Sequence, residues 1–146
     1  MPGVGDVIYL DRMPGYQVGS QSYTSDSSTF TTSETDIGTI TVSLISGVVY
    51  EVECEAHVSS STAGDTVTCR IRQDNTTGTE IQVVSANTVS TTGNRPVAVP
   101  LRALYTAGAT GSKTFVVTAV RQNGAGNVFR DVSSVAPMII TVRVAS

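Results

Sequence analysis

The feature that most constrains this chain is an alternation of apolar and polar side chains with a period of two, with no helical periodicity to compete with it. It is clearest between Val49 and Gln73. Tyr50, Val52, Cys54, Ala56 and Val58 fall on one side of an extended segment, and Glu51, Glu53, Glu55 and His57 on the other. The next segment places Val67, Cys69 and Ile71 opposite Thr66, Thr68, Arg70 and Arg72. No window carries apolar residues at i, i+3, i+4 and i+7 for more than a turn, so no helix longer than about two turns is expected. Composition agrees: Val is the commonest residue and about a quarter of the chain is Ser or Thr, types that favour extended backbone and solvated strand faces.

Short alternating segments separated by turn signals recur from Phe30 onward, which is the pattern of an antiparallel β-sandwich. Strands are expected near 38–45, 48–58, 65–73, 79–85, 96–105, 112–121, 127–133 and 138–144. The fold class is therefore all-β, a sandwich of about eight strands in jelly-roll or immunoglobulin-like order. Residues 1–29 read differently. Two Pro-Gly dipeptides, at Pro2 and Pro14, bracket the apolar run Val7-Ile8-Tyr9-Leu10, and a polar stretch from Gly19 to Thr29 follows. This predicts an extended N-terminal arm and flexible linker over 1–29 and a sandwich domain over 30–146. With Val4, the apolar run makes a candidate partner-binding arm of Val4, Val7, Ile8, Tyr9 and Leu10.

If the loop from Ser59 to Gly64 closes a hairpin whose paired numbers sum to 123, Glu51 faces Arg72 and Glu53 faces Arg70. Cys54 then lies beside Cys69, and Val52 beside Ile71. This register makes Glu51–Arg72 and Glu53–Arg70 candidate ion pairs and Cys54 and Cys69 a candidate buried pair. Either the cysteines are reduced core residues or they form a cross-strand disulfide; a cytoplasmic origin favours the reduced pair.

In the later segments, Val97 to Tyr105 has one strongly apolar face, and Pro96 and Pro100 mark it as an edge or bulged strand. Phe115 to Val120 and Met138 to Val144 are apolar on nearly both faces, so they either lie centrally or meet another subunit. The run Gln122 to Asn127 is a Gly/Asn turn that signals a hairpin.

Little here invites chemistry. His57 is the one histidine, and no Ser, Cys or carboxylate is spaced to work with it. The triplet Glu51, Glu53 and Glu55 is better explained by pairing with arginines than by a cation, which wants converging loop oxygens. Asn75-Thr76-Thr77 matches a glycosylation sequon but reads as turn chemistry, as do Asp36 and Asp65. Gly111-Ser112-Lys113-Thr114 looks like the end of a phosphate-binding loop but lacks the upstream glycine and precedes a strand. Two cysteines without Cys-x-x-Cys spacing make no metal site. No cofactor is expected, and the chain is read as no enzyme. The net charge of −3, with a single lysine, excludes nucleic acid as a partner, since phosphate binding needs clustered cations. The short apolar runs exclude a bilayer span. The first residues lack the pattern of a signal peptide, which predicts folding in a cytoplasm.

The runs Ser61 to Arg72, Gly78 to Gln82, Leu104 to Ala107 and Gly111 to Ala119 resemble small β-rich virion proteins of tailed phages infecting actinobacteria, of the minor tail or capsid decoration type. The resemblance covers roughly residues 30–146 and rests on strand and turn patterns. It implies a non-enzymatic accessory structural protein on the particle exterior, made in the host cytoplasm. Its partners would be itself, as a homotrimer, and the major capsid or tail proteins. A host-glycan-binding tail module and, more weakly, a small hydrolase are the alternative readings. Dispersed tyrosines and the lack of Trp weigh against an aromatic sugar platform.

Overall fold

The structure, a computed structural model of the chain, describes residues 10–89 and 96–146. A 3-10 turn at Leu10–Arg12 is followed by nine strands: β1 Gln17–Tyr23, β2 Thr35–Leu44, β3 Val49–Ser60, β4 Thr66–Gln73, β5 Glu80–Asn87, β6 Val97–Thr106, β7 Gly111–Asn123, β8 Val128–Arg130 and β9 Met138–Val144. They form two antiparallel sheets. The first has the order β1-β9-β3-β6, with the short β8 pairing the end of β3, and the second has the order β2-β7-β4-β5.

That order is a jelly roll. Leaving β8 aside, the first long strand pairs with the last, the second with the seventh, the third with the sixth and the fourth with the fifth. The chain is thus one long hairpin ribbon, and rolling it up adds the contacts of β9 with β3 and of β7 with β4. The alternation read from sequence now has its cause. Val52, Cys54, Ala56, Leu101, Ile140 and Val142 point inward from the first sheet and are at most 2 % exposed. Val67, Cys69, Ile71, Phe115, Val117 and Ala119 meet them from the second and are wholly buried. Tyr105 packs edge-on against Phe115, ring centroids 5.2 Å apart.

Three expectations are corrected. First, Val49–Ser60 and Thr66–Gln73 do not form a hairpin: β3 and β4 belong to different sheets, and the loop between them arches across the core. Two strands that face each other through a core produce the same alternation as two that lie side by side, so the pattern alone could not separate the cases. Second, Gln122 to Asn127 is also an arch, because β7 lies in the second sheet and β8 pairs β3 in the first. Third, the expected linker contains a strand. Residues 17–23 form β1 and pair with β9 from Gln17 opposite Arg143 to Tyr23 opposite Met138, so the sandwich begins well before residue 30.

The two strands apolar on both faces, β7 and β9, prove central in their sheets, which accounts for most of their apolar excess without a partner. Strand β6, with Pro100, is an outer strand of its sheet. On the opposite side of the sandwich, β1 and β2 approach closely because glycine sits at the contact. A Cβ on Gly19 would collide with Cγ1 of Val42, and one on Gly38 with Cε of Met138.

Candidate functional site

The outward face of the first sheet holds the residues that sequence reading singled out. Across it run rows of side chains: Arg143, Glu51 and Leu104 in one, Thr141, Glu53 and Arg102 in the next. Glu51 is only 5 % exposed although it sits on an outer face. Arg143 Nε donates to its Oε1 at 2.8 Å, and Arg102 Nε donates to its Oε2 at 2.5 Å. Arg143 also bonds Glu53. Burial alone would push the Glu51 carboxyl up; the hydrogen bonds and charges of Arg102 and Arg143 outweigh it and hold the group below the ordinary glutamate value. Its hydrogen bond to Glu51, with the charge of Glu53, raises Arg143 in turn. Shallow depressions of about 540 and 460 Å³ lie on this face and share Arg143. Leu104 and Ile139, 66 % and 44 % exposed, stand beside them.

The expected ion pairs Glu51–Arg72 and Glu53–Arg70 are not made. Because β3 and β4 lie in different sheets, their polar sides face opposite exteriors of the molecule. Arg70 and Arg72 instead meet Glu34, which precedes β2. Arg72 grips it with two bonds, Nε to Oε1 at 2.6 Å and Nη2 to Oε2 at 3.0 Å. Thr118, wholly buried, donates its hydroxyl to the same carboxylate. Arg70 donates through Nε to Glu80 at 2.7 Å and lies 3.6 Å from Glu34. For Glu34, burial raises the pKa, but the bonds from Arg72 and Thr118 with the charges of both arginines outweigh it and leave the group below its usual value. Nothing in the sequence pointed to Glu34, which stands 38 residues from Arg72.

Asp65, which reads as an ordinary loop residue, is 1 % exposed and joins three segments. Its Oδ2 accepts from the Ser60 hydroxyl at 2.6 Å and the Gly126 amide at 2.9 Å, and its Oδ1 accepts from the Ala125 amide at 3.1 Å. The Ser60 bond is the main influence lowering its pKa; burial opposes it, and the two amides and Arg121 add to it. This carboxylate fastens both interior arches at one end of the sandwich.

Cys54 and Cys69 are buried and unbonded, one contributed by each sheet. Burial pushes the Cys69 thiol up to about 12. Burial, helped by the nearness of Cys69, pushes Cys54 higher still, so neither offers a thiolate near neutral pH. His57 Nε2 lies 3.1 Å from Glu55, and its Nδ1 has no hydrogen-bond partner among the described residues. The hydroxyls of Ser59 and Ser60 donate to Asp131 and Asp65. Among the described residues no three His, Cys, Asp or Glu side chains converge as metal ligands. Of the arm, Leu10 lies in the 3-10 turn, 62 % exposed, and Val4, Val7, Ile8 and Tyr9 lie outside the described residues. Among the described residues no helix is long and apolar enough to cross a membrane.

No protein-family model and no curated protein matches the chain. Solved structures similar to it include a β-1,3-glucan-binding CBM6 from Bacillus halodurans, at 13 % identity and a TM-score of 0.40 over 93 % of this chain and 92 % of that one. A CBM4 structure is similar at 13 % identity and a TM-score of 0.40, covering 73 % of this chain and 59 % of its own. A third is the structure of infectious bursal disease virus, Gx strain, at 14 % identity and 0.40 over 91 % and 35 %. The chain thus spans less than two thirds of the second and third. At these scores the similarity carries no inference about function.

Proposed function

We propose that this protein is a non-catalytic structural module of the exterior of a tailed-phage particle, self-associating through its N-terminal arm. The observation that carries this reading is the use made of its buried and half-buried carboxylates. Glu51, Glu34 and Asp65 are each spent on holding strands or arches of the chain itself together. The two thiols and the hydroxyls of Ser59 and Ser60 are occupied or silenced in the same way: the thiols are buried and protonated, and the hydroxyls donate to carboxylates. What results is a rigid shell with a Ser/Thr-rich surface, as the likeness of residues 30–146 to virion proteins implies. Aromatic stacking on sugars finds little support: of the described tyrosines, Tyr16 at 43 % is the one largely exposed.

The arm carries the assembly role. Strand addition supplies backbone hydrogen bonds without a wide flat interface. Passed head to tail from copy to copy, it closes into a ring, here a trimer. Because β1 begins at Gln17, the test must stop short of it. A chain lacking residues 1–9 should keep its β-sheet circular dichroism and cooperative melting yet fail to load onto particles. Loading at the full-length level would refute the arm's role.

A further inference from the structure

We propose that Asn123 is a self-modifying site: the backbone amide of Gly124 closes on its side-chain carbonyl, releases ammonia, and leaves aspartate or isoaspartate at the arch that Asp65 fastens. Asn123-Gly124 is the one Asn-Gly step in the sequence, and it stands where β7 ends and the second arch begins. Both residues are exposed, so water and base reach them. The Gly124 amide is turned toward its neighbour's side chain. It donates to Asn123 Oδ1 at 2.8 Å, which brings the side-chain carbonyl carbon beside the nitrogen that attacks it. Among the described residues that side chain makes no other hydrogen bond. Gly124 has a φ of 110° and no Cβ to obstruct the closing ring.

The asparagines elsewhere in the fold lack this arrangement. Asn75, Asn87 and Asn127 are each followed by a β-branched residue, Thr76, Thr88 and Val128, whose stiff side chain crowds the amide. Two of their side-chain carbonyls are also committed. That of Asn75 accepts from the amide and hydroxyl of Thr77, and that of Asn87 from the hydroxyl of Thr66.

The steps balance with water as the only co-reactant. Base takes the Gly124 amide proton, the nitrogen forms a bond to Cγ of Asn123, and the bond from Cγ to Nδ2 breaks. Nδ2 takes up a proton and leaves as ammonia, and the product is a cyclic imide. Water then opens the imide at one of its two carbonyls. Attack at Cγ gives aspartate; attack at the backbone carbonyl gives isoaspartate, in which the main chain runs through the former side chain and is longer by one methylene.

Both products act on the Asp65 lock. Gly124 packs so closely on Asp65 that a Cβ there would collide with its Oδ1, and the next two amides, of Ala125 and Gly126, are the ones this carboxylate accepts. Aspartate brings a second negative charge to the residue before Gly124. Isoaspartate adds the same charge and displaces both amides from the positions in which Asp65 holds them.

Peptide mapping by mass spectrometry on the full chain, aged in neutral buffer, tests the site. Asn123 should gain about 1 Da and score as isoaspartate with an isoaspartate methyltransferase. The gain should be at least about tenfold faster than at Asn75, Asn87 or Asn127, whose successors are β-branched. Asn123→Gln, which would have to close a larger ring, should show no gain at that position. In the aged chain the Ala125 and Gly126 amides should exchange with solvent at least about tenfold faster than in the fresh chain, and in aged Asn123→Gln they should not. A gain at Asn123 no faster than at the other three asparagines would overturn the site. So would a rate in the folded chain more than about a hundredfold below that of a free peptide of residues 120–127, because the fold would then be protecting Asn123. Modification that leaves both amides as slow as in the fresh chain would overturn its action on the Asp65 lock.

Discussion

The two outer faces of the sandwich each hide a glutamate beneath arginines, and they do it in different ways. On the first sheet, Glu51 is covered by Arg102 and Arg143, whose side chains are themselves 71 % and 41 % exposed. All three stand on neighbouring strands of one ladder, so the cluster is a patch laid over finished structure. On the second sheet, Glu34 comes from the segment before β2 and is held by Arg70 and Arg72, 18 % and 16 % exposed, and by the buried Thr118. This cluster ties a crossing segment down onto the sheet. The Glu51 side chain is the less exposed of the two, 6 % against 21 % for Glu34, so inaccessibility is no measure of a carboxylate's worth. A carboxylate shielded by mobile, hydrated side chains is close to a surface pair, whereas one fixed against a buried hydroxyl leaves polar groups stranded when it is removed.

That contrast can be broken by substitution. Glu34→Ala should have the largest effect, about 3 kcal/mol of unfolding free energy, because it strands Thr118 and two largely buried guanidinium groups. Urea unfolding would measure it, and a loss below about 1 kcal/mol would erase the distinction. Glu51→Ala should cost about 1 kcal/mol, since its arginines can turn to water. Molar salt should shrink that loss and leave the Glu34 loss nearly intact.

The pH dependence sharpens the same point. Glu34, Glu51 and Asp65 all have folded-state pKa values below their ordinary ones. Such groups contribute stability that is present above the unfolded-state value and lost as pH falls through the folded one. Stability should therefore be level near neutrality and fall from about pH 4.5 downward. Glu34→Gln should flatten that slope more than Glu51→Gln, as melting temperatures measured from pH 6 to pH 3 would show. Equal flattening would mean the two faces are energetically alike. The smallest effect is expected at Glu53, about half exposed and bonded to Arg143: Glu53→Ala should change stability by no more than about 0.5 kcal/mol.

The difference between the faces also shows what a sequence can disclose. Strands such as β2, β3 and β6 were legible because each turns a row of alternate residues into the core, and burial of that kind writes itself as alternation. Strand β1 was not. It is an edge strand with few inward apolar residues, and its Gly19 is there for close approach to Val42, so Gln17–Tyr23 reads as linker. The register of Glu51 and Glu53 with Arg72 and Arg70 was misread for a related reason. Alternation reports which residues share a face and says nothing about whether two such faces lie side by side or across a core. Cys54 and Cys69, read as neighbours on one hairpin, are both buried but come from opposite sheets. Glu34 and Asp65 were illegible because their partners are far along the chain or are backbone amides, and neither leaves a pattern.

The claim that these pieces serve a repeated exterior assembly meets its most direct test in an electron-microscopy map of the intact particle. The expected result is a jelly roll on the outside of head or tail, with neighbouring copies of the chain in contact. A map in which this chain has no place, or in which its copies stand isolated from one another, would contradict the account.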